Sequence, residues 1–148
     1  MPLSSRKKPG NLKLELLHSN EYPYPITMQN IIHICERKTW LNAVGSGSYE
    51  PDSLESDGFI HCSQQDQVLD VANLFCFDWD DLVLLIINPQ KVRADIRWEN
   101  PAEPITLEEN SDPEVFPHIY GPLNLDAISR VLDLQRDSDG IFQLPAGI

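Results

Sequence analysis

The sequence lacks any apolar run long enough to cross a membrane. Its longest, at residues 82–87, has six residues, whereas a membrane-spanning helix needs about 20. The basic residues near the N-terminus are not followed by an apolar segment, so the pattern of a secretory signal is missing as well. We therefore expect a cytoplasmic protein that does not insert into a membrane.

Basic residues are scarce. The chain carries 11 Lys and Arg against 23 Asp and Glu, a formal net charge of −12. Because affinity for nucleic acid comes mainly from Lys and Arg that neutralise phosphates, this composition argues against a nucleic-acid partner. We expect a small-molecule ligand instead.

Cysteine is rare too, with three residues and no C-x-x-C pair, which is typical of a reducing compartment. Cys62 follows His61 directly, and adjacent strand residues point to opposite faces, so the two cannot pair as nucleophile and base. We predict that Cys62 is a buried structural thiol.

Metal-binding and phosphate-binding motifs are missing. The sequence contains no H-x-H or H-E-x-x-H pair and no glycine-rich phosphate loop,. Three inward histidines could bind zinc, but His33, His61 and His118 are too far apart in sequence to form a signature. The pattern favours a polar cleft without a bound metal.

The length of 148 residues is that of one domain with a sizeable core,. Residues 1–28 are rich in Pro, Ser, Asn and Lys and are predicted to be an irregular extension, so the domain is 29–148. Its first half alternates strands (31–35, 58–63, 82–87) with helices (36–44 and 64–75). We expect Gly45 to end the first helix and Ser63 to cap the second.

The second half reads as strands at 96–99, 116–120, 128–134 and 141–144, with a turn at Asp139-Gly140,. Residues 46–58 and 100–113 are predicted as long loops. This order indicates an α+β fold with two helices in the N-terminal half and a mostly antiparallel sheet. The apolar run 82–87 is predicted as a central strand covered on both faces.

Three short apolar runs each carry one central histidine: His33, His61 and His118. A single histidine on a strand is usually structural. Three in one small domain favour a shared cleft, in which Ser63 and Tyr120 lie two positions along the chain from His61 and His118 and so share their strand faces.

Five motifs carry a resemblance to a known family. They are I-I-H-I at 31–34, G-F-I-H-C-S at 58–63, L-V-L-L at 82–85, R-W-E at 97–99 and F-P-H-I-Y-G-P-L at 116–123. With these motifs, residues 31–134 resemble the domain of unknown function 952 family, which has been grouped with the ADP-ribosyltransferase-like superfamily.

The resemblance implies a split, mostly antiparallel sheet that holds NAD in a central cleft. It implies that His33 bonds the nicotinamide ribose and that His61 packs beside the nicotinamide. The third catalytic position falls to Tyr120, to His118 or to Glu99 from the neighbouring strand.

Phosphate contacts would come from the few basic groups, of which Arg37 follows the first strand, and from a helix N-terminus at Ser63. Two functions follow as alternatives. One is an NAD-dependent ADP-ribosyl- or phosphotransferase-like enzyme, and the other is a non-catalytic module that binds a nucleotide or small metabolite.

Overall fold

The computed structural model describes residues 29–101 and 114–148. The predicted extension 1–28 and most of the predicted loop 100–113 lie outside these residues. The elements in chain order are β1 (Ile31–Glu36), α1 (Arg37–Ser46), β2 (Ser48–Tyr49), α2 (Ser53–Ser56), β3 (Ile60–His61), α3 (Val68–Phe75), β4 (Leu82–Ile87), β5 (Asp95–Glu99), β6 (Phe116–Tyr120), β7 (Leu123–Asn124), β8 (Ile128–Arg136) and β9 (Phe142–Gln143).

Strand β4 is the centre of the main sheet, whose order is β1-β4-β8-β9. All six residues of β4 are buried. Val83, Leu85 and Ile87 pack into one apolar cluster with β1, β3 and β6, and the alternate residues pack with α3 and β8 into a second cluster. The prediction of a central strand covered on both faces is therefore confirmed.

A second sheet, in the order β3-β6-β5, meets the first at a single bridge. The N–H of Ile32 donates to the carbonyl of Ser63 over 2.9 Å, and the N–H of Ser63 donates to the carbonyl of Ile32 over 2.7 Å. All pairings in the described residues are antiparallel. The chain is thus a small α+β domain with a mostly antiparallel sheet, as predicted, and the two halves of the sheet part beyond this bridge.

The first helix continues past Gly45. It ends at Ser46, and Gly47 follows with a φ of +89° and donates its N–H to the carbonyl of Ala43. Gly47 is therefore the residue that requires left-handed backbone, which glycine adopts without strain. The prediction that Gly45 ends the helix is wrong by two residues.

The second predicted helix begins late. Helix α3 starts at Val68 rather than Gln64, because Ser63 is occupied by the bridge to β1 and cannot act as its cap. Residues 64–67 form a turn in which the side-chain oxygen of Gln67 accepts the N–H of Gln64.

The predicted loop 46–58 contains regular structure: strand β2, which pairs with β7, and the short helix α2. A two-residue strand carries too little periodicity to be read from sequence. The predicted turn at Asp139-Gly140 does join β8 to β9, with Gly140 at a φ of +84°.

Candidate functional site

An open cleft of about 910 Å³ lies where β1 and β3 separate. Its wall includes all three predicted histidines, His33, His61 and His118. A volume of this size accommodates a ligand as large as a nucleotide. The three imidazoles differ, however, in orientation, exposure and hydrogen bonding.

His61 and His118 form the centre of an aromatic cluster on the second sheet. They face each other across the antiparallel pair of β3 and β6, with ring centres 5.8 Å apart. Phe59 stacks on His118 at 4.1 Å and contacts His61 at 4.7 Å. Alternation along β3 places these rings opposite Ile60 and Cys62, which are in the core,.

Glu99 joins this cluster from β5. Its Oε1 accepts hydrogen bonds from the hydroxyl of Tyr120, over 2.6 Å, and from Nδ1 of His118, over 2.9 Å. The bond from Tyr120, followed by that from His118, lowers the pKa of Glu99, so it is a carboxylate at neutral pH. The structure therefore brings three of the predicted catalytic residues into direct contact.

The carboxylate of Glu99 fixes the tautomer of His118. Burial lowers the pKa of His118 in spite of the opposing effect of Glu99, so the ring is neutral at pH 7. Because an ionised carboxylate only accepts hydrogen bonds, the single ring proton is on Nδ1. Nε2 then carries a lone pair, and no hydrogen bond joins it to another described residue. A carboxylate-oriented imidazole of this kind can act as a general base.

His61 is the exposed member of the pair. Its Nε2 bonds Oδ2 of Asp57 at 2.7 Å, and the two side chains are 43% and 45% exposed. This bond lowers the pKa of Asp57, so a second carboxylate stands at the rim of the cleft.

His33 lies on the core side of β1, with Ile31 and Cys35, and not on the face of the other two histidines,. Its Nδ1 donates to the carbonyl of His61 over 2.6 Å, and its Nε2 accepts from the hydroxyl of Tyr49 over 2.7 Å. Burial lowers the pKa of His33 to about 4. The ring is thus neutral, and neither nitrogen can bond a ribose unless one of these bonds opens.

Arg37 and Ser63, the two residues predicted to contact phosphate, are both engaged in other interactions. Arg37 is not in the wall of the cleft, because its guanidinium pairs with Asp81 at 3.0 Å and with Asp133 at 2.6 Å. Ser63 is in the wall, but its backbone is paired with Ile32 and no helix begins there.

The edge of β1 presents backbone groups to the cleft. Ile32 bonds Ser63 on this edge, and bonding direction alternates along a strand, so Ile34 also points its N–H and C=O outward,. Among the described residues none pairs with these two groups. Ile34 is half-buried in the cleft wall. A donor and an acceptor on one residue are therefore available to a ligand.

Three contributing residues were not identified from sequence. Phe59 could have been, because it lies two positions before His61 and so shares its face. Asp57 is brought to His61 by Gly58, whose φ is +89°, and the Asp-Gly pair signals only a turn. Tyr49 gave no signal, because its partner His33 lies 16 residues away along the chain.

The prediction that Cys62 is buried is confirmed. Cys62 is 4% exposed, and burial raises its pKa.

Within residues 29–101 and 114–148, no group of three His, Cys, Asp or Glu side chains has the spacing to hold a metal ion. No helix in the same ranges is long and apolar enough to span a membrane.

Comparison with known proteins gives a family and a fold. The model of a family described as protein of unknown function (DUF952) matches residues 34–131. The crystal structure of protein CC0527 from Caulobacter crescentus is similar, with a TM-score of 0.66 and 31% identity over 78% of this chain and 95% of that one. Its solution NMR structure gives a TM-score of 0.63 at the same identity, over 78% of this chain and 92% of that one. The search of curated proteins found no match. The chain belongs to the DUF952 family.

Proposed function

We propose that this protein binds a nicotinamide nucleotide in the cleft and transfers its ribosyl group, in the manner of ADP-ribosyltransferase-like proteins. The observation that carries the proposal is the open backbone of Ile34 at the point where the sheet splits. A carboxamide offers one acceptor and two donors in a plane, and the N–H and C=O of a single strand residue complement it. The same cleft wall includes His61 and His118.

The reaction breaks the bond between the ribose C1′ carbon and the pyridinium nitrogen. The bonding electron pair stays with the nitrogen, so nicotinamide leaves as a neutral molecule and C1′ becomes cationic. The carboxylate of Asp57 in the cleft wall supplies negative charge near this cation, and such preorganised charge lowers the barrier,.

The acceptor is a hydroxyl group, of water or of a second substrate. Its oxygen forms the new bond to C1′ as its proton passes to Nε2 of His118, which Glu99 keeps in the accepting tautomer. In this mechanism Glu99 orients the base and acts on the substrate through His118, because Glu99 itself lies outside the cleft wall. Its loss is expected to slow turnover by about 100-fold or more.

The test is the release of free nicotinamide from NAD by the wild type and by Glu99→Gln. Asp95→Asn is the matched control, because Asp95 is an exposed carboxylate on the same strand and the same face. We expect release by the wild type and the control and a loss of at least about 100-fold in Glu99→Gln. Equal release by all three proteins would refute the catalytic assignment.

The alternative is a module that holds the ligand without turnover. The saturated hydrogen bonding of His33 favours it, because the residue expected to bond the ribose is engaged at both nitrogens. Calorimetric binding of NAD without release of nicotinamide would establish this alternative. If NAD neither binds nor releases nicotinamide at millimolar concentration, both forms of the proposal are refuted for NAD.

A further inference from the structure

The cleft is lined by negative charge. Four carboxylate residues contribute to its wall: Glu36, Glu50, Asp52 and Asp57. Among the described residues of the wall there is no Lys or Arg. A phosphate group entering this cleft would therefore meet carboxylates and no cation.

Arg37 and Arg97 are engaged outside the cleft. Arg37 bonds two aspartates on the far side of β1. Arg97 lies over the ring of Tyr120 at 4.2 Å and bonds Asp95 at 3.4 Å, outside the cleft wall. Neither can reach a pyrophosphate in the cleft without giving up these contacts.

The N-termini of the two longer helices, α1 and α3, do not compensate. Helix α3 begins at Val68, five residues after the cleft residue Ser63. Helix α1 begins beside the cleft, but Glu36 occupies its N-cap position. A carboxylate residue at this position adds negative charge next to the helix end whose partial positive charge would otherwise attract an anion,.

We propose that the cleft selects a pyridinium nucleoside that carries no phosphate, such as nicotinamide riboside. This inference rests on the proposed function, the transfer of a ribosyl group from nicotinamide, and changes its preferred donor from a nucleotide to a nucleoside. The pyridinium ring brings a positive charge that the four carboxylates attract, whereas the pyrophosphate of NAD adds two negative charges that they repel. The carboxamide that fits Ile34 is common to both ligands, so charge decides between them.

The experiment is calorimetric titration of the full chain with nicotinamide riboside and with NAD at low salt, repeated at about 0.5 M salt, where charges are screened beyond a few ångströms. We expect the riboside to bind at least about tenfold more tightly than NAD at low salt. The ratio should shrink at high salt. Equal or tighter binding of NAD would overturn this inference and leave the proposed function standing, whereas no binding of either ligand would refute both.

A variant isolates the charge effect. The double change Glu50→Gln and Asp52→Asn removes two exposed charges whose side chains make no hydrogen bond with described residues. It should weaken riboside binding by at least about threefold and strengthen NAD binding. Asp139→Asn, in the turn before β9, is the control and should change neither. If the double variant binds both ligands as the wild type does, the carboxylates do not set selectivity.

Discussion

His33 should make the stability of this protein depend on pH between its unfolded pKa of 6.5 and its folded value of about 4. In this range the unfolded chain binds a proton that the folded chain excludes, because burial disfavours the imidazolium. Stability therefore falls as the pH falls through this range. Above 6.5 the contribution is fully present, and below 4 it is fully lost.

The magnitude follows from the shift. At about 1.4 kcal/mol per pKa unit, a change from 6.5 to about 4 corresponds to a loss of roughly 3 kcal/mol. Solvent does not screen this effect, because the His33 side chain is buried and both of its nitrogens are hydrogen-bonded. A loss of this size is a large part of the 5–15 kcal/mol that typically stabilises a domain.

The test compares urea unfolding of the wild type and His33→Asn from pH 7 to pH 4. Asparagine can still donate to the carbonyl of His61, but it leaves the buried hydroxyl of Tyr49 without its acceptor, at a cost of about 1–3 kcal/mol at pH 7. The variant does not titrate, so its profile should be shallower by roughly 3 kcal/mol and should approach or cross that of the wild type near pH 4.

Tyr49→Phe is the control, because it removes the same hydrogen bond and keeps the titrating ring. Its profile should stay as steep as that of the wild type. Parallel profiles for the wild type and His33→Asn would refute the argument, since they would show that His33 is not the group that excludes the proton.

Three further predictions concern the fold. Gly47→Ala should destabilise by about 1–2 kcal/mol because of its positive φ,, whereas Gly45→Ala, inside α1 with open space around it, should be neutral or stabilising; thermal unfolding compares the two. Leu84→Ala should cost about 2–5 kcal/mol in urea unfolding, since this side chain is fully buried in β4,. Cys62 should resist thiol labelling in the native protein and react once the chain is unfolded,, and rapid native labelling at this position would contradict its burial.

The sequence predicts the elements whose periodicity is long or whose burial is complete. Strand β4 was readable because six consecutive apolar residues leave few alternatives to a covered strand. Alternation along β6 likewise placed Tyr120 on the same face as His118, where both side chains bond Glu99,. These features depend on local pattern, and the structure preserves them.

The elements that the sequence missed depend on partners distant in the chain. Ser63 has the composition of a helix cap, but its backbone pairs with Ile32, 31 residues earlier, and the helix starts later as a result. Arg37 looked available for phosphate because its partners, Asp81 and Asp133, lie 44 and 96 residues away. Long-range pairing overrides local propensity at both positions.

The three histidines show why one motif does not fix one chemical role. Each lies in a short apolar strand, yet His33 faces the core and is locked neutral, His118 is buried but oriented by a carboxylate, and His61 is exposed beside Asp57. The bridge between Ile32 and Ser63 separates their roles. His33, the residue after Ile32, points inward to Tyr49, whereas His61, two residues before Ser63, points outward to the cleft. His33 therefore holds the two sheets together at the point where they part, and the residues free to do chemistry are the pair on the second sheet.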